Sequence, residues 1–344
     1  MSIIKWSTAV ILVTLLSSCQ IPTSPDDDDD GVGTLQLSRD ALVFNAGGDL
    51  PSDTRTLTLT NTGDAALTIS EISTTNAAFS VQTAAPLTLE ADSSAELPVT
   101  FTPASSPGPQ SASLSLTSSE GTASVYLGGL TVVGQEGTKE PSVQWIFDTF
   151  GYPIETGDPN PADSAIAPEV TTDLIGEEVA AQTFVRADPS QPVTLEVLAA
   201  FGVADVAPVY RYGIYAAGSA TPPLTELLAI PITPTLNGQK LEPVFTSSAT
   251  AQNGVLSFEP PADTFGFYSY WPTTDFFDER TVYTEDALNT FPGAGPHQVR
   301  TFPLKDRNNG AVANAYILVT DESIRLNDFN DAVVLVRNVQ PVSQ

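Results

Sequence analysis

The chain has 344 residues, enough for two packed domains beyond a terminal segment. Its 41 Asp and Glu against 13 Lys and Arg give a formal charge of −28, which disfavours nucleic acid, whose phosphates need the opposite sign, and electrostatic docking on anionic lipid. A single cysteine excludes an intramolecular disulfide, and one histidine leaves little material for zinc coordination or a Ser-His-Asp site. The 28 Pro and 23 Gly, among abundant Thr, Ser, Val and Leu, favour strands and turns over helices.

Residues 1–18 read as a signal peptide. Lys5 supplies one positive charge, Ser7 to Leu15 is an apolar run too short to span a bilayer, and Leu16-Ser17-Ser18 precede Cys19. This arrangement resembles the bacterial lipoprotein cleavage box. The resemblance implies that Cys19 becomes the first mature residue and carries the acyl chains, palmitate among them. Gln20 in second place, where an inner-membrane retention signal has aspartate, implies the outer membrane. Residues 19–33 then form a lipidated, disordered tether. Five consecutive aspartates repel one another between Pro- and Gly-containing flanks, giving an extended spacer of ~20 Å or more.

From residue 34 to 133 the pattern changes to period two. Leu35/Leu37, Leu57/Leu59, Leu87/Leu89 and Leu114/Leu116 alternate with polar residues, and Gly-, Asp- and Ser-rich turns separate the runs. Short strands so spaced predict an antiparallel sandwich held by core packing alone. The predicted core is Leu42, Phe44, Leu57, Leu59, Ile69, Ile72, Phe79, Leu89, Val99, Phe101, Leu114, Leu116, Val125 and Leu127. Leu57-Thr58-Leu59-Thr60-Asn61-Thr62-Gly63, Leu67-Thr68-Ile69, Leu97 to Pro103, Ser113 to Leu116 and Leu127-Gly128-Gly129 occur in that order. They resemble the Hydin-type (ASH) immunoglobulin-like module, which implies a spacer or protein-binding unit.

Residues 134–141 are a polar, Gly-containing linker, and residues 142–344 a C-terminal domain richer in aromatics. Predicted strands are Gln144–Phe147, Ala181–Arg186, Val193–Phe201, Val209–Tyr215, Thr225–Pro231, Gly254–Glu259, Thr264–Trp271, Gln298–Leu304, Ala313–Thr320 and Ala332–Asn338, with one helical turn at Glu285–Leu288. The fold class expected is therefore all-β: an immunoglobulin-like β-sandwich followed by a larger, jelly-roll-like β-sandwich.

The densest polar chemistry lies near the C-terminus. Asp321-Glu322 precede Asn327-Asp328-Phe329-Asn330-Asp331, which feeds the apolar run Ala332 to Val336. Carboxylate and amide oxygens on a tight turn are what a hard cation such as Ca²⁺ takes, although the twelve-residue EF-hand spacing is absent and a solvated acidic turn would look the same. Gly266-Phe267-Tyr268, Val282 to Asn289, His297 to Leu304, Asn314-Ala315-Tyr316 and Asn327 to Val334 resemble an uncharacterised C-terminal domain of bacterial secreted proteins. The resemblance implies a calcium site at Glu322, Asp328, Asn330 and Asp331 and no known enzymatic activity. His297, in Pro296-His297-Gln298 before a strand, reads as structural, and no G-x-S-x-G occurs. Tyr268, Tyr270, Trp271 and Phe276-Phe277 could stack on sugars if exposed, but their alternation favours core packing.

These readings predict a lipid-anchored, non-catalytic protein of the bacterial envelope, with no catalytic residues. It would display a calcium-binding sandwich to an envelope glycan or protein, with a membrane contact only through its lipid. The alternatives are a purely structural envelope or matrix component and a two-carboxylate hydrolase, for which no pair of acids stands out.

Overall fold

The computed structural model describes residues 31–134, 139–158, 160–162, 172–202, 209–231, 240–247, 250–252, 254–275, 277–322 and 328–342. The lipobox, Cys19 and the aspartate run lie outside the described residues, as do Asn327 and Phe276.

The N-terminal module has nine strands: β1 (Leu35–Leu37), β2 (Ala41–Gly47), β3 (Asp53–Asn61), β4 (Leu67–Thr74), β5 (Phe79–Val81), β6 (Leu87–Leu89), β7 (Ser94–Phe101), β8 (Gly108–Ser118) and β9 (Gly121–Val132). They form two sheets, ordered β1-β3-β7-β5 and β2-β9-β8-β4-β6, antiparallel except for β2 beside β9. Period-two alternation sends one side of each strand into a shared core. Every predicted core residue is buried there except Ile72, which is half-buried at its edge. Phe44, Phe79 and Phe101 meet at its centre, with ring centroids 5.1–6.3 Å apart, in edge and tilted arrangements that aromatic quadrupoles favour.

The Asn61-Thr62-Gly63 turn has a structural reason. The Asn61 side chain is fully buried, donates to the carbonyls of Ala65 (2.7 Å), Leu89 (3.1 Å) and Glu90 (3.2 Å), and accepts from the amides of Thr34 (2.9 Å) and Gly63 (3.0 Å). One amide thus satisfies backbone groups from three segments, which buried polar atoms require.

The predicted strand at Gln144–Phe147 is instead a helix, α1 (Val143–Phe150). Its buried apolar residues Val143, Ile146, Phe147 and Phe150 fall at i, i+3, i+4 and i+7, a helical and not a strand period. Ser142 caps it, its hydroxyl accepting from the Trp145 amide at 3.2 Å, and Gly151 ends it in the left-handed conformation at φ 73°. The β-branched and aromatic composition suggests a strand; the caps and tertiary packing outweigh that propensity.

The C-terminal domain follows with β10 (Phe184–Arg186), β11 (Val193–Ala200), β12 (Val209–Ala216), β13 (Leu224–Pro231), β14 (Lys240–Leu241), β15 (Thr246–Ser247), β16 (Thr250–Gln252), β17 (Val255–Phe258), β18 (Thr264–Trp271), β19 (Arg280–Tyr283), β20 (Val299–Lys305), β21 (Ala311–Thr320), β22 (Ala332–Arg337) and β23 (Val339–Pro341). The other nine predicted strands are all present, and Asp286–Leu288 is a 3₁₀ turn. One sheet runs β15-β13-β12-β18-β10-β23 with β19 on β18; the other runs β16-β17-β11-β22-β21-β20 with β14 on β11. The sheets pack face to face around Phe184, Phe265, Phe267, Leu195, Leu318 and Val334. Among the described residues the fold is all-β but for the short helices, as the composition predicts.

The second sheet is covered on both faces, which is why β22 is buried from Ala332 through Val336 without alternation. Its outer face, through Leu198, Phe302, Ile317 and Leu335, shares one core with α1 and with Val43, Leu130 and Val132 of the N-terminal module. Phe147 of α1 meets Phe302 edge-on at 5.6 Å. On the other side of α1, a Cβ on Gly128 would lie 1.8 Å from the Thr149 carbonyl oxygen, so β9 and the helix touch backbone to backbone. Polar clasps flank this core. The Leu241 amide donates to Asn45 Oδ1 (3.1 Å), Arg55 donates to the Leu241 carbonyl (3.3 Å), and Arg39 pairs with Glu242 at 2.9 Å.

Candidate metal centre

The acidic segment sits where β21 ends and β22 begins. Asp321 and Glu322 continue from Thr320, and Asp328 to Asp331 return the chain through a parallel bridge between Thr320 and Asn330. Phe329 adopts φ 54°, a left-handed conformation unusual for a bulky residue, while its ring is buried. Hydrogen bonds fix both arms of the loop. Asp321 donates its amide to the Gln298 carbonyl (3.0 Å), and Phe201 donates to the Asn330 carbonyl (3.2 Å). The Glu322 amide donates to Asp331 Oδ2 (2.8 Å), and Arg280 donates to the Glu322 carbonyl (3.0 Å).

Five carboxyl groups are buried in this region. Asp321, Glu322, Asp328 and Asp331 retain 3–6% of their surface, and Glu140 retains 7%. One oxygen from each of Asp321, Asp328 and Asp331 lies within 4.8 Å of the others. Two oxygens bound to one Ca²⁺ are at most roughly 5 Å apart, since each sits 2.3–2.6 Å from the ion. None of the described salt bridges reaches Glu322, Asp328 or Asp331. Burial and then the neighbouring Glu322 charge push the Asp328 carboxyl up to about 7, and the same two causes lift Asp331 well above the ordinary carboxylate range. Burial thus favours the protonated form of Asp328 and Asp331, to which no described salt bridge runs.

The donor set fits a hard cation. It is all oxygen, with no histidine or thiol, which suits Ca²⁺ or Mg²⁺ and not zinc. Asn330 is fully buried, and its Oδ1 accepts from no described residue, although buried carbonyl oxygens normally find a partner. Gly202 makes room: a Cβ there would lie 3.2 Å from Asp331 Oδ1 and 3.2 Å from Trp271 Cζ3.

Of the four residues singled out in sequence, Asp328 and Asp331 supply converging oxygens, and Asn330 falls between them in the chain. Glu322 stands beside the trio, its amide and its buried carboxyl both hydrogen-bonded to Asp331. Asp321 takes the third converging position. Glu140 is the residue that sequence reasoning missed. It hydrogen-bonds Asp328 across 188 positions, and its neighbour Pro141 accepts from Asn330 Nδ2 at 2.8 Å. No local pattern in Lys139-Glu140-Pro141 announces that contact. The loop is thereby tied to the segment that enters α1.

The lone histidine lies elsewhere. His297 Nδ1 is 2.9 Å from both Asp286 oxygens, and Nε2 is 3.0 Å from Glu178 Oε1. Arg300, almost fully buried, donates to the other Glu178 oxygen at 2.6 Å. Burial alone would depress the imidazolium; the hydrogen bonds to Asp286 and Glu178 and their charges outweigh it and lift His297 to about 9. A ring committed through both nitrogens is a clasp between β20, the 3₁₀ turn and the segment before β10. The aromatics of β18 are equally committed. Trp271 is fully buried, Tyr268 is nearly so, and half-buried Tyr270 donates to Glu279 at 2.7 Å under the Arg211 guanidinium. They pack the sandwich and form no open platform for a sugar.

Similarities to known structures are partial. A protein of unknown function from Porphyromonas gingivalis W83 shares 15% identity over 28% of this chain and 46% of its own, with a TM-score of 0.26. The Vibrio cholerae VesB protease shares 20% over 28% of this chain and 31% of its own, at 0.22. The human CEP192 ASH/PapD-like domain shares 15% over 29% of this chain and 85% of its own, also at 0.22. The chain thus spans less than half the length of the first two. No curated protein matches it. The family match falls on the N-terminal module: residues 33–128 match the model of the HYDIN/CFA65/VesB-like Ig-like domain.

Proposed function

We propose that this is a non-catalytic binding protein of the bacterial envelope, held by a lipid on Cys19 to the outer membrane. Its Ig-like module and C-terminal sandwich share the core around α1, and a buried Ca²⁺ holds that arrangement in shape. The envelope ligand it presents itself to is a glycan or a protein. The observation that carries the calcium assignment is the convergence of Asp321, Asp328 and Asp331 in a dry pocket that no described salt bridge to Asp328 or Asp331 neutralises. Burying ionised carboxylates without compensation is prohibitive. A divalent cation supplies what is missing, with Asp321, Asp328 and Asp331 as ligands and Asn330 Oδ1 and Glu140 within the same cluster.

Because Glu140 and Pro141 belong to the approach to α1, the cation would also stiffen the joint between the two halves. The anchor rests on the lipobox alone. The test is calorimetric titration of the EDTA-stripped chain with Ca²⁺, beside a glycan array in calcium and in EDTA. Saturable, near-stoichiometric calcium binding supports the reading. A chain that takes up no calcium and melts identically in EDTA contradicts it.

A further inference from the structure

A cleft of about 380 Å³ opens between the two halves of the molecule. One wall is the Ser38 to Val43 stretch at the start of β2, and the other is the end of α1 with the outer face of the second C-terminal sheet. It lies where the apolar contact between module and sheet runs out, so it exists only while the two halves are docked. Salt bridges frame it: Arg39 to Glu242 at 2.9 Å on one side and Arg307 to Asp40 at 3.3 Å on the other.

Inside that frame three polar side chains are uncommitted. The Tyr152 hydroxyl, the Glu196 carboxylate and the Arg337 guanidinium line the cleft, and none hydrogen-bonds another described side chain or backbone group. Glu196 and Arg337 project from adjacent strands. Glu196 is opposite Leu335 and Thr194 is opposite Arg337, so the two are diagonal neighbours on one face, a spacing of ~7–8 Å with the Cβ atoms somewhat closer. Burial, with the nearby Glu242 charge, raises the Glu196 carboxyl above its ordinary range, and burial lifts the Tyr152 phenol to about 12. Tyr152 stacks on Phe150 at 5.7 Å and 16°, giving an apolar wall beside the polar groups.

We propose that this cleft is a carbohydrate subsite that takes a neutral pyranose. A guanidinium donor, a carboxylate acceptor and a phenol that does both are what vicinal hydroxyls require, and an aromatic wall suits the C–H face of the ring. Pockets at domain junctions with a few convergent polar groups are common binding sites. Neutrality follows from the lining, which balances four cationic against four anionic side chains, in a chain whose overall charge of −28 repels acidic glycans. The proposal rests on the binding role given above and replaces the β18 aromatics as the place to look.

The test is an array of neutral gluco-, galacto- and manno-configured oligosaccharides, followed by calorimetry on the hits. It uses the calcium-loaded full chain in detergent, its Glu196→Gln and Arg337→Met variants, and Tyr270→Ala as a control outside the cleft. Each cleft variant should lose about tenfold or more in affinity, as expected for a missing charged hydrogen bond, with a cooperative melt and calcium uptake retained. The control should bind as wild type does. Binding that survives both cleft substitutions contradicts the cleft and leaves the binding role standing. A wild type that binds no neutral glycan also contradicts the cleft; if it captures no envelope protein either, the binding role falls with it.

Discussion

Replacing Asp328 by asparagine separates a metal centre from an ordinary acidic turn, because the two predict opposite signs in EDTA. Asp328 is buried, and its carboxyl is lifted from 3.8 to about 7. A carboxyl raised in the fold is a group the native state prefers protonated. The resulting penalty is absent below about pH 4, grows as pH rises towards 7, and is complete above it. At pH 8 without cation it amounts to about 4 kcal/mol. Asparagine keeps the shape and the acceptor oxygen and removes the charge. In EDTA at pH 8 the Asp328→Asn chain should therefore melt above wild type, by roughly 8 °C if the full penalty is recovered. At pH 5 the gain should fall to less than half of that, because the penalty has only partly developed there. In calcium the order should reverse, since wild type gains the bound ion and the variant has lost a ligand. Differential scanning calorimetry in the four media reads this crossing. A variant destabilised by the same amount in EDTA and in calcium, at both pH values, refutes the reasoning and makes the loop a hydrogen-bonded turn.

Other expectations follow from the same structure. His297, lifted to about 9 from 6.5, contributes stability that is fully present below pH 6.5 and lost as pH rises through 9; melts from pH 6 to 10 should show that loss, and His297→Gln should flatten the profile. Phe147→Ala empties a fully buried site shared by both halves of the chain and should cost about 3–5 kcal/mol in urea denaturation, with one transition before and after, because α1 joins the two cores. Two separated transitions in wild type would contradict that shared core. Cys19→Ser should abolish incorporation of a clickable fatty acid and release the protein from membranes without detergent; a serine variant that is still labelled removes the basis for the anchor.

The fold was legible where one face of a strand meets water. Leu57/Leu59 and Leu114/Leu116 alternate because the N-terminal sheets have a wet side, and thirteen of the fourteen core positions named from that alternation are buried. The pattern misled at Val143–Phe150, where aromatic and β-branched residues hide a helical period and the flanking Ser142 and Gly151 are the better signal. Strands such as Lys240–Leu241 and Thr246–Ser247 are too short to carry any period. At the candidate centre, the Asp328–Asp331 turn is written locally, so its acids were found. Glu140 enters from nearly two hundred residues away and Asp321 displaces its neighbour Glu322 from the converging position. Both outcomes depend on how β21 and α1 lie against each other, which no window of sequence contains. The interdomain cleft was invisible for the same reason, since its walls come from opposite ends of the chain.

Tryptophan-sensitised terbium luminescence tests the buried cation most directly, because Tb³⁺ takes calcium's oxygen ligands and Trp271 flanks the same glycine as Asp331. Excitation of tryptophan in the EDTA-stripped chain should yield terbium emission that saturates near one ion per chain, is displaced by Ca²⁺, and disappears in Asp331→Asn. Emission that is absent, or that persists unchanged in Asp331→Asn and in excess Ca²⁺, would contradict the metal centre.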